Sequence, residues 1–372
     1  MKITDVEALY LRLPEIKART DSSQDALLIR ITTDAGIVGW GEVDGCPWVV
    51  KAIVEAPMSH TIVTGLKAVL LGEDPMEIGR LWRKMYEATL YYGREGAVIQ
   101  AMAGIDLALW DIKGKALDMP VWRVIGAKHR DRLRVYSSNM MQFTPEATAD
   151  RVRKAIDDGF TAAKFGWEPF GRSDLALDLR YLDAMCRAAG DGFDLMLDVG
   201  LVWDAPTTIQ RARAFEPYGL YWIEEPLHPD DVAGYGRVSG RISQRLAAGE
   251  EECTLRGFRR LIDEGGIGLA QIDLTRCGLT AALEIAGHAA ASGIPVANHN
   301  FTTDINTAAS LHFLAAVPNA LVLEYCVEPS EISRALARDP FRLEDGHFRV
   351  PDAPGLGVEP DMAVVERFLV RG

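Results

Sequence analysis

The chain repeats one local pattern from Arg132 onward: a short apolar segment followed by a helical segment, at nearly constant intervals. Strands that alternate with helices form parallel sheets, and eight of them favour a TIM-type barrel over an open doubly wound sheet. No G-x-G-x-x-G sequence follows an early strand, which argues against a dinucleotide-binding sheet. The eight predicted strands span residues 133–137, 161–165, 195–199, 220–224, 246–250, 269–273, 294–299 and 321–325.

The residues before this repeat follow a different pattern. Alternating apolar and polar residues predict a three-stranded antiparallel meander over 2–13, 26–33 and 37–42. Helical patterns follow at 49–70, 75–90 and 96–116. A polar loop at 15–24, between the first two strands, contains Arg19 and Thr20. We therefore expect an α+β unit ahead of the barrel.

Three consecutive predicted strands end in a carboxylate. These residues are Asp198, Glu224 and Glu250, and each is 26 residues from the next. Parallel strands expose their C-terminal ends together, so the three acids should converge at one rim of the barrel. One strand-end acid alone is more often a helix N-cap. Three converging charges stay ionised only beside a cation, and oxygen ligands suit Mg²⁺.

Other predicted strands also end in polar residues, namely Lys164, Asp273, His299 and Glu324. All of these side chains can face one cavity at the rim. A single histidine at a strand end is usually structural, but here Asp273 ends the preceding strand. Its carboxylate can bond one ring nitrogen of His299, which fixes the tautomer and raises the basicity of the other nitrogen. The pair is therefore predicted to be a catalytic dyad.

Composition limits the class of partner. Of the 372 residues 48% are hydrophobic, which is ample for a large core. The formal net charge is −13 and the basic residues are dispersed, so we expect a small-molecule partner, with no nucleic acid and no membrane surface. The N-terminal residues lack a signal-peptide apolar region, and no run of about 18 apolar residues follows. A cytoplasmic location is therefore predicted.

The series of strand-end residues resembles the enolase superfamily, and its late Asp, His and Glu resemble the mandelate racemase subgroup. The resemblance extends over nearly the whole chain and includes Ile-Glu-Glu-Pro at 223–226, Ala-Gly-Glu at 248–250 and Pro-Gly-Leu-Gly-Val at 354–358. It implies a modified TIM (β/α) barrel at 129–345 and an α+β capping domain at 1–128, completed by the C-terminal tail at 346–372. It also implies a symmetric homo-oligomer, often an octamer in this subgroup.

The resemblance also implies roles for the site residues. Asp198, Glu224 and Glu250 would bind Mg²⁺, and His299 with Asp273 would be the base. Glu324 would assist at the substrate carboxylate, protonated if it donates a hydrogen bond, and Lys164 would be a nearby cation. The loop at 15–24 would close over the substrate.

The departures from the subgroup pattern restrict the reaction. Its members commonly end the second barrel strand with Lys-x-Lys, and the second Lys is a base opposite the His, whereas this chain has Lys164-Phe165-Gly166. Glycine cannot titrate, so racemisation with two bases loses support. Many members also place Asn two residues after the first metal ligand, where this chain has Gly200, and Arg276 stands where Lys often follows the dyad Asp.

A site with one base predicts an Mg²⁺-dependent hydro-lyase. His299 would take the proton next to the carboxylate and then protonate a β-hydroxyl leaving on the same side. A sugar acid, either an aldonate or an aldarate, carries both groups and would give a 2-keto-3-deoxy acid. Arg19, Thr20 and Asn298 are predicted to meet its other hydroxyls.

Three alternatives belong to other classes. A racemase or epimerase of a 2-hydroxy acid would use the same fold but needs an acid opposite His299. A non-catalytic sugar-acid or metal-binding protein would bind without turnover. A cycloisomerase normally needs the missing Lys pair.

Overall fold

The computed structural model describes residues 1–17, 24–126, 128–328, 330–337 and 341–371. The N-terminal sheet is the predicted antiparallel meander. Its strands are β1 (Ile3–Arg12), β2 (Asp25–Thr33) and β3 (Val38–Val43). A tight turn joins β2 to β3, and Gly36 in that turn has a φ of 75°, in the left-handed region that favours glycine.

Helices pack on this sheet and complete the N-terminal unit. They are α1 (Pro47–Glu55), α2 (Leu66–Leu70), α3 (Ile78–Ala88), α4 (Ala97–Ala116) and α5 (Val121–Ile125). The prediction of one continuous helix over 49–70 is wrong, because two helices with a break between them occupy this range. Pro57 follows α1, and Ala56 before it is extended, with φ −55° and ψ 136°. A proline disfavours helical geometry in the preceding residue and cannot donate to the helix itself.

The second unit is a barrel of eight parallel strands, as predicted, in the order β10-β9-β8-β7-β6-β5-β4-β11. These strands are β4 (Arg132–Met140), β5 (Ala162–Gly166), β6 (Asp194–Asp198), β7 (Trp222–Glu224), β8 (Leu246–Ala248), β9 (Leu269–Ile272), β10 (Val296–Asn298) and β11 (Leu323–Cys326). The connecting helices include α6 (Pro145–Asp157), α7 (Leu175–Ala189), α8 (Ala205–Phe215), α9 (Val232–Ser239), α10 (Leu255–Arg259), α11 (Leu274–Ala291), α12 (Asp304–Ala316) and α13 (Glu331–Ala335).

Buried side chains fill the barrel interior and form a floor beneath the rim. One comes from each strand or from the residue next to it: Tyr136, Ala162, Met196, Trp222, Ala247, Leu269, Ala297 and Val322. The rings of Tyr136 and Trp222 meet edge to face at 5.3 Å. This packing closes the barrel below the polar residues at the strand ends, so the rim is the side that can receive a ligand.

The barrel closes between β10 and β11 through an unusual seam. Backbone pairing there is a single bridge, Val296 to Ala320. Beyond this bridge, the Asn298 side chain makes the hydrogen bonds that the backbone of a paired strand would make. Its oxygen accepts from Glu324 N at 2.7 Å, and its nitrogen donates to Glu324 O at 3.3 Å. A side-chain amide has a carbonyl acceptor and an N–H donor side by side, as the backbone of a strand does, and can therefore complete the ladder.

The two units are joined by helix packing and by the C-terminal tail. Helix α4 packs along α11, where the buried Asp106 accepts from Thr280 N at 2.8 Å and from Thr280 Oγ1 at 2.6 Å. In the tail, β12 (His347–Arg349) pairs with β4, and Leu369, just beyond α14 (Met362–Phe368), bridges to Leu11. Of the described helices, none is both long and apolar enough to span a membrane.

Candidate active site

Three predicted acids meet at the rim. Asp198 ends β6, Glu224 ends β7, and Glu250 lies two residues beyond β8. One carboxylate oxygen from each lies within 4.8 Å of the others, and all three residues are buried. The three acids are equally spaced along the chain and lie close together in the fold, because each stands at or just beyond the C-terminal end of its own strand in one parallel sheet.

The electrostatics of this cluster fit a divalent cation. Burial raises the pKa of Asp198 to about 6 and that of Glu224 to about 7, and it also raises the pKa of Glu250. Repulsion from neighbouring acids adds to each shift, and Lys164 opposes it. Buried carboxylates that repel one another are stable as anions only when a cation compensates them, and an all-oxygen donor set suits Mg²⁺.

Indole and backbone N–H groups hold two of these acids in place. Trp222 Nε1 donates to Glu224 Oε2 at 2.8 Å, and Trp167 Nε1 donates to Asp198 Oδ2 at 3.1 Å. Gly200 N donates to the other oxygen of Asp198 at 2.9 Å. These donors fix the orientation of the two carboxylates.

Lys164 lies between two acids. Its ammonium contacts Glu224 and lies 2.8 Å from Glu324 Oε1. Burial favours the neutral amine, but these two carboxylates outweigh it and raise the pKa of Lys164 well above its ordinary value. Burial likewise opposes ionisation of Glu324, yet Lys164 lowers the pKa of Glu324 below its ordinary value. Lys164 and Glu324 therefore stabilise the charged form of each other.

The predicted dyad is formed. His299 Nδ1 lies 2.7 Å from Asp273 Oδ2, with both residues buried. The other oxygen of Asp273 accepts from Thr275 N at 2.7 Å, from Thr275 Oγ1 at 2.6 Å and from Asn306 Nδ2 at 3.3 Å. A carboxylate held by this many donors stays fixed and keeps the proton of His299 on Nδ1.

The second ring nitrogen of His299 points to the acidic cluster. Nε2 lies 3.4 Å from Glu250 Oε2. Burial alone would lower the pKa of His299, but the charge of Glu250 and the bond to Asp273 raise it well above its ordinary value. Nε2 therefore faces the acidic cluster, next to the position that a cation would occupy.

A cavity of about 520 Å³ opens above these residues between the barrel rim and the N-terminal unit. Barrel residues on its wall include Lys164, Gly166, Trp167, Asp198, Glu250, Arg276 and His299. The N-terminal unit contributes Tyr10, Arg12, Asp25, Glu42 and Asp44 among others. The volume is in the range of cavities that enclose a small organic molecule.

Two residues of the N-terminal unit tie it to this rim, and sequence reasoning missed both. Glu42 accepts from Thr303 N at 3.2 Å and from Thr303 Oγ1 at 2.8 Å, so its carboxylate lies at the start of α12; burial raises the pKa of Glu42 to about 8. Asp44 Oδ2 accepts from Arg276 Nε at 2.9 Å. Glu42 comes near the end of a strand, as the barrel acids do, and that was the available signal.

Three residues were predicted to contact substrate hydroxyls. Arg19 and Thr20 lie outside the described residues. Asn298 is fully buried with its amide engaged at the seam, so the expectation that it meets substrate hydroxyls is not supported. The physical reason is alternation along a strand, because His299 faces the cavity and the side chain before it points the other way.

The structure also explains why Gly166 has no larger side chain. A Cβ atom added there would lie 2.5 Å from Cβ of Asp198 and 2.9 Å from its Oδ2. Those distances are shorter than van der Waals contact, so any side chain would displace this acid. A base at position 166 is incompatible with the present position of Asp198.

Two family models match the chain. The mandelate racemase / muconate lactonizing enzyme N-terminal domain matches residues 4–126, and the enolase C-terminal domain-like model matches residues 147–364. Together they cover both structural units.

Relatives and solved structures match over 90% or more of the chain. D-galactonate dehydratase of Variovorax paradoxus is 33% identical over 90% of this chain and 88% of its own. D-xylonate dehydratase of Haloferax volcanii is 29% identical over 100% and 90%. A structure described as a predicted mandelate racemase from Rhodobacter sphaeroides has a TM-score of 0.93 at 33% identity, covering 100% of this chain and 96% of its own. The 3,6-anhydro-D-galactonate cycloisomerase from Zobellia galactanivorans has a TM-score of 0.90 at 29% identity, with both chains fully covered.

Proposed function

The chain belongs to the mandelate racemase and muconate lactonizing enzyme family of the enolase superfamily, and on this premise we propose that it is an Mg²⁺-dependent dehydratase of a sugar acid. The observation that carries the proposal is the asymmetry of its proton-transfer groups. His299, held by Asp273, faces the cavity from one side. On the other side β5 ends in Gly166, and the ammonium of Lys164 on the same strand is paired with Glu224 and Glu324.

Asp198, Glu224 and Glu250 would hold the metal ion. Bound there, Mg²⁺ would draw electron density from the substrate carboxylate and stabilise the charge that develops when the neighbouring proton leaves. Lys164 lines the cavity beside these acids and supplies a further positive charge for the substrate carboxylate.

Nε2 of His299 performs the proton transfers, because Nδ1 is occupied by Asp273. It takes the proton from the carbon next to the carboxylate and becomes imidazolium. The imidazolium then returns this proton to the β-hydroxyl, whose carbon–oxygen bond breaks with release of water. The enol that remains tautomerises to a 2-keto-3-deoxy acid, so one residue serves as base and acid on one face.

The substrate class is supported by the relatives, which are named dehydratases of D-galactonate and D-xylonate. Both are sugar acids with a hydroxyl on the carbon next to the reacting one. The cavity volume of about 520 Å³ accommodates molecules of this size. We further propose that the partner is this small carboxylate alone and that the chain forms a symmetric homo-oligomer in the cytoplasm.

The proposal is tested by screening the purified protein with Mg²⁺ against aldonates and aldarates, with semicarbazide detection of the 2-keto product. The panel includes 3,6-anhydro-D-galactonate, because a related structure bears the name of its cycloisomerase. We expect 2-keto product from at least one sugar acid. A 2-epimer formed without loss of water would replace the proposal with an epimerase, and binding without turnover would replace it with a binding protein.

A second experiment tests the single base. In D₂O with an inert 3-deoxy analogue, the wild type should exchange the proton next to the carboxylate, if at all, with retention of configuration. His299→Asn should not exchange. The matched control is Lys164→Met, which should weaken binding of the carboxylate without changing the stereochemistry of exchange. Exchange that gives both configurations, or that persists in His299→Asn, would contradict the one-base reaction.

A further inference from the structure

Trp167 has an unusual backbone conformation at the edge of the site. It follows Gly166 at the end of β5, lines the cavity, and is 39% exposed. Its φ is 68°, in the left-handed region that large side chains rarely adopt. Such a conformation costs free energy and persists only where the surroundings hold it, which happens most often at functional sites.

The contacts of Trp167 converge on one predicted metal ligand. Its indole N–H donates to Asp198 Oδ2 at 3.1 Å, and its backbone N–H donates to the carbonyl oxygen of Asp198 at 3.2 Å. The indole also covers Gly200, because a Cβ atom added to that glycine would lie 3.1 to 3.4 Å from ring atoms. Gly200 N in turn donates to Asp198 Oδ1. The indole N–H of Trp167 and the backbone N–H of Gly200 therefore each bond one oxygen of the Asp198 carboxylate.

The ring also has a defined position around the barrel. Along the closed order of strands, β5 and β10 are three strands apart in one direction and five in the other, which places them nearly opposite each other. His299 follows β10, and Gly166 ends β5 with no side chain. The indole of Trp167 therefore lines the cavity on the side that faces His299, next to Gly166.

From these contacts we infer that Trp167 is a positioning residue with two effects: its N–H fixes the Asp198 carboxylate for a divalent cation, and its ring shields the substrate face opposite His299 from water. The first effect concerns ion binding alone. The second rests on the proposed function, because it assumes that a proton leaves the substrate toward His299.

The first effect is tested without substrate, by calorimetric titration of the full chain with Mg²⁺ and by electron paramagnetic resonance of Mn²⁺. Trp167→Phe keeps an aromatic ring and removes the N–H, and we expect its affinity for either ion to fall about 10- to 100-fold. The matched control is Trp48→Phe, since Trp48 is also half exposed, contacts Tyr10 by its edge at 5.4 Å, and is not among the residues that line the cavity. Its affinity should equal that of the wild type.

A second variant covers the case in which Trp167→Phe does not fold. Trp167→His retains a ring N–H, so it should bind Mg²⁺ more tightly than Trp167→Phe. If only the histidine variant folds, its affinity should lie within about tenfold of that of the wild type. Affinity of Trp167→Phe within twofold of the wild type would overturn the first effect. So would a folded Trp167→His that loses binding completely.

The second effect is read from stereochemistry at saturating Mg²⁺. With the 3-deoxy analogue in D₂O, the wild type and Trp167→Phe should give one configuration, whereas Trp167→Ala should give both, because water reaches the open face. A single configuration from Trp167→Ala overturns the shielding effect. Two configurations from the wild type would instead contradict the single-base reaction itself, so the two failures are distinguishable.

Discussion

Replacing Asp273 with Asn should invert the hydrogen bonding of His299 without changing the size of the side chain. Three donors converge on Asp273 Oδ1, from Thr275 N, Thr275 Oγ1 and Asn306 Nδ2. The amide oxygen of the new residue must take that position, which places its NH₂ group 2.7 Å from His299 Nδ1, where the carboxylate oxygen lies now. Nδ1 then accepts a hydrogen bond, and the ring proton moves to Nε2.

The consequence is a histidine that cannot accept a proton at the atom facing the cavity. Loss of a general base typically lowers the rate roughly 10²- to 10⁴-fold, which corresponds to roughly 3 to 5 kcal/mol in activation free energy. The loss should fall on kcat, while Mg²⁺ affinity measured by calorimetry stays near that of the wild type because no predicted ligand changes.

The assay is steady-state dehydration of whichever sugar acid the screen identifies, together with D₂O exchange in the inert analogue. Thr275→Val is the matched control: it removes one of the donors to Oδ1 and leaves the carboxylate, so its rate should fall by less than tenfold. If Asp273→Asn retains more than a tenth of the wild-type kcat, or still exchanges the proton at the wild-type rate, the tautomer reasoning is refuted.

Three other predictions follow from the same structure. Glu224→Gln should abolish turnover and Mg²⁺ binding while far-ultraviolet circular dichroism stays unchanged, and activity that resists both this change and a chelator would remove the metal assignment. Burial raises the pKa of Asp106 to about 7, above its value of 3.8 in the unfolded chain, so the folded state prefers the neutral acid and loses stability as pH rises between these values. Asp106→Asn can keep the bond from Thr280 N and has no group that ionises. In urea denaturation, the free energy of unfolding of this variant minus that of the wild type should therefore rise by about 2 to 3 kcal/mol from pH 5 to pH 8. A difference that stays constant with pH would contradict this. Sedimentation at micromolar concentration should give a symmetric oligomer, and a monomer alone would exclude it.

The barrel and its acids could be predicted because their signals are local. Each strand is a short apolar run closed by a polar residue, and parallel pairing carries those closing residues to one rim without further information. Asp198, Glu224 and Glu250 needed only their spacing. The pairing of Asp273 with His299 needed only the order of adjacent strands.

The N-terminal contributions could not be predicted, because they depend on how one unit docks on the other. Glu42 contacts residues 261 positions away, and Asp44 reaches Arg276 across 232 positions. No periodic pattern encodes such contacts. Pro57, by contrast, is a local signal against one helix over 49–70, and its effect on the backbone outweighs the apolar periodicity of that range. The charge state of Glu324 depends on Lys164, which only the folded barrel brings within 2.8 Å.

The seam between β10 and β11 determines where this barrel should first come apart. Amide protons in a continuous ladder exchange with solvent only when a cooperative unit unfolds, whereas those beside a single bridge exchange by local opening. The amide of Glu324 depends on the Asn298 side chain, so its deuterium uptake should precede that of β5 and β6, whose pairing extends over five residue pairs. His299 directly follows β10, and heating should therefore inactivate the protein before the barrel melts.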